Sequence, residues 1–103
     1  MFGQVRRGSA TMADVQDFID DDPGYLAWLA IHPNGFVLNT YRRPTPAYLV
    51  LHRATCRSIG LLPSGGSTWT KDYRKICGER EELESYAHDA VGGDARLCGQ
   101  CHK

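Results

Sequence analysis

A chain of 103 residues, 42% hydrophobic and 23% charged, is long enough for one modest core and too rich in apolar side chains to stay disordered. No apolar run approaches the roughly 20 residues of a membrane-spanning helix, and residues 1–9, with Arg6 and Arg7, lack the apolar core of a secretion signal; a cytoplasmic protein with no membrane partner is expected. The formal charge of zero hides a division: two Arg against five Asp in residues 1–39, seven Lys and Arg against Asp72 alone in residues 40–77, and three basic against six acidic side chains in residues 78–103. A basic middle between acidic ends either presents a local positive field or is neutralised when the ends fold over it.

Residues 1–10, broken by Gly3 and Gly8, read as a tail; residues 11–103 read as a single α+β domain. Thr11 is a candidate N-cap for a first helix, with Val15, Phe18 and Ile19 on one face and Asp20, Asp21 and Asp22 at its end. Asp22 as N-cap and Pro23 at the first helical position predict a second helix, closed by Pro33, Asn34 and Gly35. Tyr25, Leu26, Trp28, Leu29 and Ile31 make that helix apolar enough to expect it well buried.

Phe36–Tyr41 and Ala47–His52 have the β-branched, aromatic and aliphatic content of strands. Arg42, Arg43, Pro44, Thr45 and Pro46 between them predict a basic hairpin tip in which two prolines stop the ladder. Residues 61–67 read as a Pro/Gly/Ser loop and Thr68–Ile76 as a third strand. A last helix is predicted over Glu79–Val91, with Leu83, Tyr86, Ala87, Ala90 and Val91 as its apolar stripe, an acidic first turn, and Gly92 and Gly93 as its stop. The expected architecture is N-terminal helices, a small antiparallel sheet, and a C-terminal helix followed by a metal knuckle.

The knuckle is Cys98-Gly99-Gln100-Cys101. Paired cysteines in a chain expected in the cytosol point to metal or redox chemistry before structural disulfides. A redox pair opens a helix after a strand, and no helix follows Cys101 in this sequence. Zinc takes thiolate and imidazole ligands in a tetrahedron, and a two-residue spacer aims both sulfurs at one ion. The second pair comes from His52, Cys56 and Cys77: His52-x3-Cys56 sits at a predicted strand end, and Cys77 is the reserve for His52, otherwise a small buried hydrophobe. His102 is a lesser candidate, and His32 and His88 read as ordinary helix residues. The expected ligand set is His52, Cys56, Cys98 and Cys101.

The order of strand, His52-x3-Cys56, intervening strand, helix and Arg96-x-Cys98-x2-Cys101 resembles the metal-binding domain of the Ada DNA-repair proteins, over roughly residues 49–102. In that family a Cys- or His-x3-Cys pair and a later Cys-x2-Cys pair hold zinc. The segment between the pairs is longer here, and His52 stands where the family has its methyl-accepting cysteine. What the resemblance implies is therefore a structural zinc and nucleic-acid contact, not methyl transfer. Residues 24–59 also look like uncharacterised modules of actinobacterial proteins, some joined to nucleases.

Arg42, Arg43, Arg53, Arg57, Lys71, Arg74 and Lys75 are candidate phosphate contacts, with Trp69 and Tyr41, Tyr48 and Tyr73 interleaved as candidate base-stacking surfaces. The alternatives are a solvated surface for the charges and core packing for the rings, core being the better expectation for Tyr48. The function expected is a zinc-stabilised nucleic-acid-binding module, monomeric or a small homo-oligomer. Its rival is a protein-interaction or regulatory subunit with purely structural zinc. No catalytic residue is expected: the basic segment offers only Asp72 as a general base, and no Ser-His-Asp, phosphate-loop or HExxH signature occurs.

Overall fold

The computed structural model describes residues 15–56, 59 and 69–99. Five strands form one sheet: β1 (Gln16–Phe18), β2 (Phe36–Tyr41), β3 (Leu49–Arg53), β4 (Tyr73–Gly78) and β5 (Arg96–Leu97), in the order β1-β4-β2-β3-β5. Two α-helices accompany it among the described residues, α1 (Asp22–Ile31) and α2 (Arg80–Tyr86), so the α+β class is as expected. The sheet is mixed, because β5 joins β3 in parallel while the other pairs are antiparallel.

Strand side chains alternate between faces, and both faces here are covered. Leu38, Leu49, Leu51 and Ile76 point one way and pack with Leu83 and Ala87 of the C-terminal helical segment. Val37 and Cys77 point the other way, into a cluster with Tyr25 of α1, Cys56, Ile59 and Cys98. Consecutive apolar residues in β2, β3 and β4 follow from this two-sided burial.

The first predicted helix is corrected. Where helix was expected through Ile19, Gln16–Phe18 is a strand paired with β4, and Thr11 lies outside the described residues. Phe18 packs toward Tyr25, with ring centroids 6.0 Å apart, while Asp17 on the opposite face pairs with Arg74. Both faces of that short segment find tertiary partners that a weak local period did not reveal.

The cap of α1 is displaced by one residue: Asp21 accepts the Gly24 N–H at 3.0 Å. Asp22 is released for another task, accepting the Trp69 and Thr70 N–H groups at 2.9 and 2.8 Å and the Thr70 hydroxyl at 2.7 Å. That capture holds residues 69–70 in a bend, so β4 begins at Tyr73, while Thr68, the expected start of the strand, lies outside the described residues. The expected deep burial of α1 is also corrected. A helix buries one stripe, here Tyr25 with Trp28 and Leu29 beside it; Leu26 is exposed and Ile31 is 71% exposed.

β2 and β3 form the expected hairpin, in register from Phe36 opposite Arg53 to Thr40 opposite Leu49. The expected acidic first turn of α2 is present, and Glu79 and Glu82 further build a capping box at its start. Residues Ala87–Val91 widen into a π-turn, leaving Ala90 exposed while Leu83 and Ala87 stay buried. Gly92 then adopts φ 86°, and the N–H groups of Gly92 and Gly93 both donate to the Ala87 carbonyl, at 2.9 and 3.0 Å. This left-handed stop turns the chain back along β3 as β5.

Candidate metal centre

Three separate elements bring His52, Cys56 and Cys98 to one place. His52 is the penultimate residue of β3 and opposes Val37. A turn follows β3, in which the Ala54 N–H donates to the Gly35 carbonyl and the Cys56 N–H to the Arg53 carbonyl, both at 2.9 Å. It curls Cys56 back over the strand end. β5 runs parallel to β3 with Arg96 opposite Val50 and Leu97 opposite Leu51; carried one residue further, this register sets Cys98 beside His52. The Cys98 N–H donates to the Leu51 carbonyl at 2.9 Å and anchors it there.

The ligand-type atoms of His52, Cys56 and Cys98 all lie within 4.8 Å of one another. The three residues are 6%, 4% and 9% exposed. The Cys56 and Cys98 sulfurs stand 4.0 Å apart. A disulfide would need about 2.05 Å, whereas two thiolates on a tetrahedral zinc, each bonded at about 2.3 Å, lie about 3.8 Å apart. The spacing therefore fits two ligands of one ion. Imidazole and thiolate donors, gathered in an apolar cluster with Tyr25, Val37 and Ile59, form a set that could hold a soft or borderline metal.

Cys77 does not join this group. It opposes Val37 from β4, so Val37 separates it from His52 by one full strand on either side, about 10 Å across the sheet. It is fully buried, and that burial pushes its thiol pKa well up despite Lys75 nearby. Such a thiol is a poor source of thiolate, and its place is that of a small core residue. Cys101, Arg57 and His102 lie outside the described residues. His32 is exposed and stacks on Trp28 with centroids 4.4 Å apart; His88 is exposed beside Asp89.

The candidate phosphate contacts do not converge on one surface. Arg74 is turned to the α2 side and bonded through Nε to Asp17 at 2.9 Å. Lys75, on the other face, is 3% exposed, its Nζ donating to the Trp69 carbonyl at 2.7 Å. Arg53 stands at the opposite end of the sheet, over the Phe36 ring. Trp69 is partly buried against the core cluster. Arg42 is paired with Asp20 at 2.9 Å and bonded to the Lys71 carbonyl. The basic middle is thus partly neutralised by acidic residues of the N-terminal third. Arg42, Arg43 and Lys71 remain exposed together at the β2–β4 edge that ends in Tyr41 and Tyr73.

Three of the candidate stacking residues, Tyr41, Tyr48 and Tyr73, come together in the fold. Tyr41 and Tyr48 flank the hairpin tip, and Tyr73 opposes Tyr41, so three rings meet on one face. The signal was present as Tyr41 and Tyr48 at either end of a short proline-bearing connection, which a hairpin makes neighbours. Comparison of the chain with protein-family models, curated proteins and solved structures returns no match.

Proposed function

We propose that this chain is a zinc-stabilised module in which His52, Cys56, Cys98 and Cys101 hold one structural ion, and that it binds nucleic acid. The observation that carries the metal reading is the convergence of three buried ligand-type side chains from a strand, a turn and a separate edge strand. Cys101 is proposed as the fourth ligand because the Cys98-x2-Cys101 spacing is that of a zinc knuckle, as in the Ada-like arrangement. A bound zinc would supply a cross-link between the end of β3 and the C-terminal segment. The nucleic-acid reading is supported by the cationic edge of Arg42, Arg43 and Lys71 beside exposed tyrosines.

Metal analysis of the reduced full chain tests the first part. One zinc per chain is expected, lost on Cys56→Ser or Cys98→Ser; substoichiometric metal in freshly purified reduced protein would sink it. Exposed Leu26 and Ile31 on α1 favour a protein partner as the second reading. Affinity that falls with salt for an oligonucleotide, and its absence, separate the two.

A further inference from the structure

Tyr73, Tyr41 and Tyr48 form a row across three neighbouring strand positions. Tyr41 directly opposes Tyr73, and the pairing of Thr40 with Leu49 places Tyr48 across from Tyr41 on the other side. Two strands apart, the backbones carrying Tyr48 and Tyr73 are separated by about 10 Å, yet their ring centroids are only 5.7 Å apart. Those two rings lean together over the central strand. The Tyr41 centroid lies 5.0 Å from that of Tyr48 and 6.0 Å from that of Tyr73, with interplanar angles of 22° and 25°. Tyr48 and Tyr73 are inclined to one another by 43°, so the three rings are shingled around Tyr41 and not stacked in a column. They make a broad, gently curved π-surface.

That surface is held in place and open to solvent. The Asn39 Nδ2 donates to the Tyr48 hydroxyl at 3.0 Å, and the pinned Lys75 Nζ lies 5.6 Å from the Tyr73 centroid. Tyr41 remains 43% exposed and Tyr73 39%. Rings ordered before a ligand arrives lose little entropy on binding. Exposed Arg42, Arg43 and Lys71 rim the same edge, offset by Asp20 and Asp72.

We infer that this tyrosine platform is the nucleic-acid contact, and that its ligand is a single strand whose unpaired base stacks on Tyr41 and Tyr73. The inference rests on the nucleic-acid reading above and narrows it. A duplex hides its base faces and is held mainly through phosphates, for which this edge offers few cations; a single strand presents a π-face and a backbone phosphate together. About two phosphate contacts on a single strand give a log–log salt slope near −1.5, whereas seven on a duplex would give about −6.

Anisotropy titration of the zinc-loaded full chain tests this with labelled 12-nucleotide single-stranded DNA, single-stranded RNA of the same sequence, and the corresponding DNA duplex. The single strands are expected to bind at least tenfold more tightly than the duplex, with a shallow salt slope. Tyr41→Ala and Tyr73→Ala should each weaken them roughly 5- to 100-fold. Tyr41→Leu, which keeps apolar volume and loses the π-face, should do the same, while Tyr41→Phe retains binding. Unchanged metal content certifies the fold of each variant. The DNA and RNA arms identify which strand is preferred. Duplex bound as tightly as single strand, with the tyrosine variants unaffected, overturns the platform and leaves nucleic-acid binding standing. No binding to any of the three overturns both.

Discussion

Lys75 shows at the level of one side chain how burial redirects a charge. Its ammonium donates to the Trp69 carbonyl and lies near the Tyr25 and Tyr73 rings, and removal from water pulls its pKa down to about 8, against the opposing pull of Cys77 and Asp22. An unfolded lysine titrates near 10.4, so between about pH 8 and 10.4 the unfolded chain binds more protons than the folded one. The contribution of this group to stability should rise with pH across that window by at most about 1.4 kcal/mol per unit and be flat below it, while the raised Cys77 thiol opposes it once an unfolded thiol ionises, above about pH 8.5. Lys75→Met should remove that contribution, so the unfolding free energy of the wild type relative to the variant should grow between pH 7.5 and 9.5, as read by urea unfolding at constant metal loading. Cys77 poses the complementary case. Standing a strand away from His52, it should be dispensable for metal, so Cys77→Ala should keep a full complement of zinc. His52→Cys should keep it too, since a thiolate can replace the imidazole. Metal lost from Cys77→Ala as completely as from Cys56→Ser would reverse that assignment.

Among the elements, β5 carries the greatest consequence for its length. Two residues of parallel edge strand place Cys98, and they depend on the turn after the π-helical segment. A Cβ at Gly93 would lie 2.9 Å from Pro46 Cα and Cβ and from Leu49 Cδ1, so the turn and the β2–β3 hairpin are in close contact there. Gly93→Val should push the two apart at a cost of about 1–3 kcal/mol. It should also weaken zinc, measured by chelator competition, because Cys98 rides on the displaced strand. Gly99→Ala is the control: among the described residues nothing lies within 4 Å of the added carbon, and neither stability nor zinc affinity should respond through packing against them. The hairpin and the last helix with its acidic first turn and glycine stop were legible in the sequence, because alternation, charge placement and glycine stops are local signals. β1 and β5 were not. Strands of three and two residues have no period of their own, and their existence depends on a neighbour's open edge.

For the whole molecule, the candidate metal ligands and one of the two core clusters lie on the same side of the sheet. The face bearing Val37 and Cys77 closes over His52, Cys56 and Cys98, so an ion there would tie the C-terminal segment to the middle of the chain. With free zinc at a thousand times its dissociation constant, binding adds about 4 kcal/mol to stability. A domain of this size converts that to roughly 15–30 °C in Tm. Chelation should therefore lower the thermal midpoint by at least about 15 °C, by calorimetry; an unchanged midpoint after confirmed removal of the metal would contradict a structural role. Among the described residues no helix is long and apolar enough to cross a membrane. By itself the sequence determined the α+β class, the central hairpin, the last helix and the residue types of the candidate metal site, since all of these are written in short-range spacing. Tertiary structure alone decided that His52 and not Cys77 stands with Cys56 and Cys98, that Asp20 and Asp17 draw in Arg42 and Arg74, and that three tyrosines share a face. Each of those outcomes depends on which strands lie side by side and in what register, and the local pattern of a strand does not name its neighbour.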